Sequence, residues 1–381
     1  MNARALTFLS VLGFGLFVLG GDGRAGDPVP TPAWTVFQSG EVALASQVND
    51  NFLILEQRLD ALEQVMTPEN LALLADLLPH LSIEELDDGQ GGLAKTVRLT
   101  GVNLQIVNGL GATNGNPALP EEPASGVATN GLGNLIVGYN ELRVDALDPD
   151  DRTGSHCLVV GRGLDYSGFG GIVAGEENRV AGAYASVTGG FGNRALDRAS
   201  AVSGGLGNTA GDAQSGSGTF AWVGGGEANA ASGSKSAVTG GTQNAATDQW
   251  AAVAGGFQNT ASGNYASVAG GEANTASETG ATVAGGELNL AGEGRSHVCG
   301  GLMNETSGLH AVVVGGEANE AFGTTTAILG GRANFAGEQS SAIGGGELNT
   351  IQFSGSSSFS TISGGCSEEI GPNSLCQVNP L

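Results

Sequence analysis

The side chains best suited to metal binding or nucleophilic catalysis are widely scattered in this chain. Its four histidines lie in no recognisable nucleophile or metal motif. His297 and Cys299 are two residues apart, so on a β-strand they would share one face and form an incomplete metal-ligand pair. Packed surface residues explain the same pair with fewer assumptions. We therefore expect a protein that is not an enzyme, with no catalytic residue, no metal and no cofactor.

A second set of residues suits binding. Aromatic and cationic side chains recur at multiples of 15 residues, at Phe220, Trp250, Tyr265 and Arg295. Exposed rings beside cations hold sugar rings or the side chains of protein ligands. These four residues form the candidate ligand patch. The alternative is that the rings only cover a corner of the fold.

An internal repeat sets this interval. Its unit reads Val-x-Gly-Gly-x-x-Asn-x-Ala, as in residues 253–261, 268–276 and 283–291. The asparagine recurs every 15 residues at Asn229, Asn244, Asn259, Asn274, Asn289, Asn304, Asn319, Asn334 and Asn349. Earlier units are less regular, since a six-residue insertion precedes Asn229 and the unit at Val173 is one residue short. Val159 and Val137 begin degenerate copies.

A strict 15-residue period with β-branched residues and glycine pairs predicts an all-β repeat, a solenoid whose coils each contribute two short parallel strands. A helical repeat is excluded because each glycine in a helix costs about 1 kcal/mol. Stacked coils bring equivalent residues into columns spaced ~4.8 Å apart. We expect the valine column to point inward and the asparagines to form a structural ladder in which each amide donates to the next coil.

The residue after each valine should face outward. It is uncharged in six successive coils, at Ala254, Ala269, Ala284, Cys299, Val314 and Leu329. A long apolar stripe on a rod is an association site. We therefore expect a homo-oligomer that covers this stripe.

The composition removes other classes of protein. The chain has 381 residues, 67 of them Gly, and 14 Lys+Arg against 38 Asp+Glu, for a net charge of -24. Glycine has no period of three, which excludes collagen. No basic stripe is present, so nucleic acid and anionic lipid are excluded as partners. Charges that recur in the repeat alternate in sign at Glu317, Arg332 and Glu347.

The first residues predict export. Arg4 precedes an apolar run over residues 5–19, and small residues follow, so residues 1–25 form the expected signal peptide with cleavage after Ala25. The alternative is an uncleaved anchor, although the run is shorter than the roughly 20 residues that span a bilayer. No later stretch is apolar enough for a span, so the mature chain is expected to have none. Residues 26–47 are expected to be an extended segment.

A helical neck is predicted over residues 48–85. Apolar residues spaced four and three apart form a coiled-coil seam at Val48, Phe52, Leu55, Leu59, Leu62 and Met66. Thr67 and Pro68 announce a second helix, and Pro79 should bend or end it. The alternative is a helix docked on its own domain. Residues 86–96 are expected to be a linker.

The remaining boundaries follow from the repeat. Residues 97–172 are expected to hold degenerate coils or a cap, residues 173–365 the regular solenoid, and residues 366–381 a C-terminal cap closed by a Cys366–Cys376 disulfide. Cys157 and Cys299 should lie about nine coils apart, far beyond disulfide reach, and are expected to be buried free thiols, with an interchain contact as the alternative for Cys299.

One segment resembles a known family. Ala266-Ser267-Val268-Ala269-Gly270-Gly271, followed by Asn274-Thr275-Ala276-Ser277, is similar to the head repeat of trimeric autotransporter adhesins of the YadA-like type. The resemblance covers residues 173–365. It implies a left-handed parallel β-roll, three chains wide, displayed on a bacterial surface to hold matrix proteins, other cells or abiotic surfaces. The chain departs from the family in its 15-residue period and in a helical segment that precedes the head, and we expect it to have no C-terminal membrane anchor.

Together these features predict an exported, non-enzymatic, homotrimeric β-solenoid, secreted by a bacterium or held at its cell surface. Its expected role is adhesion to cells, matrix or surfaces through a repetitive extended face, with an extracellular protein or glycan as ligand. The alternative is a purely structural extracellular fibre or coat component. A polysaccharide-processing solenoid enzyme is a distant third.

Overall fold

The structure is a computed structural model that describes residues 44–120, 129–143, 150–212, 218–352, 359–371 and 378–379. The expected signal peptide, nearly all of the segment 26–47, and Cys376 lie outside the described residues. The chain divides into two compact units, Met1–Gln105 and Ile106–Leu381.

The described residues of the first unit form two helices and a β-hairpin. Helix α1 spans Ala45–Val65 and α2 spans Pro68–Leu77, followed by a 3₁₀ turn at Leu78–His80. Thr67 caps α2, since its Oγ1 accepts the N–H of Asn70 at 3.2 Å. Neither helix contains a buried residue. Within the described chain the leucines of both helices are exposed, except for Leu74, which is half-buried.

The hairpin replaces the end of the predicted neck and its linker. Strands β1 (Leu81–Asp87) and β2 (Leu93–Leu99) pair antiparallel, with Leu81 opposite Leu99. The helical stretch ends at His80 because proline cannot continue a helix and because the residues beyond it alternate apolar and polar. Asp88 closes the turn by accepting the N–H groups of Gln90 and Gly92 at 2.8 Å, and these bonds lower the pKa of Asp88.

The second unit is a parallel β-solenoid of about 13 turns with 15-residue coils. One sheet of 16 strands, here the first sheet, contains Leu135–Val137, Leu158–Arg162, Ile172–Glu176, Ser186–Val187, Ala201–Val202, Trp222–Val223, Ala237–Val238, Ala252–Val253, Ser267–Val268, Thr282–Val283, His297–Val298, Val312–Val313, Ala327–Ile328, Ala342–Ile343, Thr361–Ile362 and Val378–Asn379. The second sheet, of 14 strands, contains Asp165–Tyr166, Arg179–Val180, Arg194–Ala195, Thr209–Ala210, Ala230–Ala231, Ala245–Ala246, Thr260–Ala261, Thr275–Ala276, Leu290–Ala291, Glu305–Thr306, Glu320–Ala321, Phe335–Ala336, Thr350–Ile351 and Glu369–Ile370.

The inward columns form a core that is one small side chain thick from each sheet. Val253 and Ala261 of one coil are at most 1% exposed, and so are their equivalents in the coils around them. The first coil is wider, because Leu164, Tyr166 and Phe169 are buried there. The expected start at Val137 is shifted by one residue. Ile136 pairs with Val159 and therefore takes the register of the valine column, although its side chain is 38% exposed.

The predicted insertion lies between two neighbouring coils without changing their pairing. Ala201 pairs with Trp222, which is 21 residues later. Asp197 joins the two ends of the insertion, since its Oδ2 accepts the N–H groups of Asp212 and Gly218 at 2.8 Å. The extra residues therefore leave the stack of coils continuous.

The asparagine ladder is buried and fully engaged. In Asn274, Nδ2 donates to Asn259 Oδ1 at 3.1 Å, to the Gly270 carbonyl at 3.0 Å and to the Gly286 carbonyl at 2.8 Å. Its Oδ1 accepts the backbone N–H of Asn289 at 3.0 Å. The amide thus donates to the preceding asparagine rather than to the following one, and it reaches the next coil through a glycine carbonyl. All nine predicted ladder asparagines are at most 1% exposed.

Two corners of each regular coil adopt the left-handed conformation, and in most coils the residues there are not glycine. Tyr265 has φ 58° and Gln258 has φ 57°. This conformation costs about 1–2 kcal/mol in an ordinary residue. The backbone N–H of Tyr265 donates to Gln249 O and that of Gln258 donates to Thr242 O, both at 3.0 Å. These inter-coil bonds hold the corners in a conformation that the residue types do not favour.

We predict that Asn274→Asp destabilises the rod by about 2–4 kcal/mol at pH 7, because a carboxylate removes the donors and faces two carbonyl oxygens. The measurement is the urea midpoint followed by circular dichroism. Gln258→Glu, on an exposed corner of the same stack, is the control and should change stability by about 0.5 kcal/mol or less. Equal effects of the two substitutions would contradict the ladder's role.

Candidate ligand-binding site

The four residues of the candidate ligand patch lie on one corner of the rod. They occupy the left-handed position that ends each coil, with φ of 61° at Phe220 and Trp250. Lys235 and Gly280 hold the same position in the intervening coils. The exposed fractions are 48% for Phe220, 43% for Trp250 and 60% for Tyr265. The corner geometry thus sets these side chains in one outward column.

The rings of this column contact one another and neighbouring cations. Trp250 and Tyr265 are parallel within 5°, with ring centroids 6.1 Å apart. Lys235 Nζ lies 4.3 Å from the Trp250 ring centroid. Arg198 covers Phe220 at 5.4 Å. Both faces of the Trp250 ring are therefore covered, and only its edge is available to a ligand.

Tyr265 has a neighbour on one face only. The next coil places Gly280 beside it, and this glycine has no side chain to stack on the ring. A Cβ built on Gly280 would lie 3.4 Å from Arg295 Cγ, so the stem of Arg295 leans over the glycine. The open face of Tyr265, Gly280 and Arg295 form the least filled part of the column. The sequence pattern indicated Tyr265 and Arg295 but not Gly280. This glycine contributes to the open space because it has no side chain.

A second surface lies on the outside of the first sheet. We call it the uncharged face: the outward residue of each of the 12 strands from Ser186–Val187 to Thr361–Ile362, and the residue that follows each strand. None of these residues is Asp, Glu, Lys or Arg. Val314 is 46% exposed and Leu329 is 60% exposed, and the other four residues of the predicted stripe are exposed as well.

The column that precedes the asparagines by two residues forms a third ladder of single parallel bridges. Arg332 Nη1 lies 3.0 Å from Glu347 Oε1, and its Nε lies 3.8 Å from Glu317 Oε2, so the charges of alternating sign pair along the rod. Glu272 and Glu287 stand on adjacent coils beside an open groove of about 630 Å³ with a glycine floor. They are a solvated like-charged pair.

The cysteines and histidines do not assemble into a metal site in the part of the chain that the structure describes. His297 and Cys299 are both exposed on the uncharged face. Cys157 is buried, and burial raises the pKa of its thiol. Cys366 is exposed, and its disulfide with Cys376 stays a prediction because Cys376 lies outside the described residues.

One buried ionic cluster lies in the first coil of the solenoid. Asp165 Oδ2 is 3.6 Å from both Arg143 Nη1 and Arg179 Nε, and the side chains of Asp165 and Arg143 are nearly inaccessible. Burial raises the pKa of Asp165 to about 6, against the opposing effect of the two guanidinium groups. The cluster fastens residues 129–143 to the end of the rod, so its role is structural.

No family model matches the chain, and no curated protein matches it. Among the described helices, none has the length and apolarity that a membrane span requires. The evidence for function therefore comes from the candidate ligand patch and the uncharged face.

We predict that the first coil loses stability as pH rises. The folded-state pKa of Asp165, about 6, lies above the unfolded value, so its contribution is complete at pH below about 4 and is lost as pH rises through 6. Hydrogen exchange of residues 150–182 at pH 5 and 7.5, corrected for intrinsic exchange, measures this. The protection of Asp165→Asn relative to the natural chain should be greater at pH 7.5 than at pH 5, because asparagine does not titrate. A constant difference between the two proteins would contradict the prediction.

Proposed function

We propose that this protein is an exported, non-enzymatic, homotrimeric β-solenoid that works in adhesion to cells, matrix or surfaces. We place it outside a bacterial cell, either secreted or held at the surface. The uncharged face is the observation that carries the proposal. In a chain of net charge -24, copies repel one another, and a face free of Asp and Glu over 12 strands is the surface on which they can approach.

The glycine pairs beside this face support a close approach. A Cβ on the second glycine, Gly256, would lie 2.2 Å from the Gly271 carbonyl, so the fold itself requires glycine there. At the first glycine the requirement varies from coil to coil. At Gly270 and Gly300 φ is 159° and 153°, which favours glycine, whereas at Gly240 a Cβ would meet nothing within 4 Å and φ is outside the left-handed range. A neighbouring chain that packs against the backbone is a physical reason for glycine at this position.

The first unit fits the same assembly. Phe52, Leu55, Leu59 and Leu62 of α1 are each at least 50% exposed and lie at coiled-coil spacing. We propose that three copies of α1 pair through this seam as a coiled-coil neck. The left-handed sense of the solenoid is likewise part of the proposal and rests on the resemblance to YadA-like head repeats.

We predict that the natural chain has the mass of a trimer in light scattering after size-exclusion chromatography, with and without reductant. The double variant Val314→Glu/Leu329→Glu puts carboxylates on the uncharged face of two adjacent coils and should weaken or abolish the trimer. Thr260→Glu/Thr275→Glu puts the same charges on the outer side of the second sheet and is the control that stays trimeric. A natural chain that is monomeric would overturn the interface.

Adhesion is tested by retention on surfaces. A trimer presents three copies of each weak contact, so its retention should exceed that of the Val314→Glu/Leu329→Glu variant by at least tenfold. The measurement is binding of labelled protein to immobilised matrix proteins and extracellular polysaccharides. Absence of retention of the natural trimer on every surface would favour the structural fibre or coat component.

A further inference from the structure

In the stack formed by Trp250 and Tyr265, one ring face remains open. Trp250 lies between Lys235 and Tyr265, so neither of its faces can receive a ring. The free face of Tyr265 is turned toward the coil of Gly280. We propose that Tyr265, Gly280 and Arg295 form a subsite for an acidic sugar, a uronic-acid ring within an extracellular polysaccharide. This proposal deepens the adhesive function and rests on it.

The spacing of the coils suits an inserted ring. The three residues belong to consecutive coils, since Gly280 N–H donates to Asn264 O and Arg295 N–H donates to Thr279 O. With ~4.8 Å between coils, a ring stacked on Tyr265 at the level of Gly280 lies about 5 Å from the tyrosine ring and beside the stem of Arg295, which leans over the glycine. That separation falls in the range at which rings stack. The glycine lets the ring approach the backbone.

Arg295 supplies the charge recognition. Several described arginines are matched by carboxylates, as in Arg98 with Glu84 at 2.8 Å and Arg332 with Glu347 at 3.0 Å, whereas Arg198 covers the Phe220 ring instead. Arg295 has no carboxylate within 4 Å among the residues that the structure describes, although the chain has 38 acidic side chains. A guanidinium binds a carboxylate through two parallel hydrogen bonds.

The two contacts together define the ligand class. The apolar face of a pyranose ring packs on Tyr265, and a carboxylate on the same ring reaches Arg295. A neutral sugar uses only the first contact, and a lone carboxylate uses only the second. A uronic acid uses both, and it is therefore the ligand that the subsite distinguishes.

The test is calorimetric titration of the full chain with a trigalacturonic acid probe and with its neutral galactose counterpart. We expect the trigalacturonic acid to bind at least tenfold more tightly than the neutral galactose trisaccharide. Gly280→Tyr should abolish binding of both, because tyrosine already adopts this left-handed position at 184 and 265 and its ring would fill the gap. Melting temperature serves as the check that this variant is folded.

Arg295→Gln separates the two contacts. It should weaken uronate binding at least tenfold and leave neutral-sugar binding unchanged, whereas Arg198→Gln, beside Phe220 on the same rod, should change neither. Equal binding of both probes, unchanged binding in Gly280→Tyr, or equally tight binding of an aromatic carboxylate or an acidic peptide would overturn the subsite. If the protein binds the uronate but is retained on no surface, the adhesive function is contradicted and the subsite is not. The titration makes this distinction because it needs neither a trimer nor a surface.

Discussion

Each coil of the solenoid is tied to its neighbours by one asparagine side chain that uses its full hydrogen-bonding capacity. The amide oxygen receives the backbone N–H of the next asparagine, and the amide nitrogen binds glycine carbonyls in its own coil and the next, as at Asn274. Irregular units keep the same bond: Asn193 N–H donates to Asn178 Oδ1 although the unit that begins at Val173 is one residue short, and Asn229 N–H donates to Asn208 Oδ1 across the insertion. The ladder therefore sets the register, and coil length can vary elsewhere.

The remaining features depend on that register. Because the ladder holds the coils in line, a core of valine and alanine is enough to fill the space between the sheets. Identical corner positions stack, so Trp250 meets Tyr265 and Arg332 meets Glu347. The uncharged face becomes a continuous surface along 12 strands of the first sheet. A protein with so little buried side-chain volume gains stability from backbone bonds and from any chain that covers this surface.

The regular part of the fold could be predicted because the same residue types recur every 15 residues. The inward valines, the buried asparagines and the exposed residues that follow the valines all recur with the 15-residue unit. The hairpin Leu81–Leu99 was missed because its first strand follows directly on the helical stretch and was assigned to the neck. The start at Ile136 was missed because a degenerate coil offers two adjacent apolar residues, and only pairing with Val159 decides between them.

The sequence alone determined the coil length, the columns and the identity of the residues at each corner, because these follow from periodicity. Tertiary structure decided what the corner residues can do. Nothing in the types Trp and Tyr signals a left-handed backbone, which inter-coil hydrogen bonds impose at Trp250 and Tyr265. Stacking then covers both faces of Trp250 and leaves one face of Tyr265 open beside Gly280. The order of residues along a column is visible in the sequence, but the faces that remain open depend on how each side chain leans, and packing alone sets that.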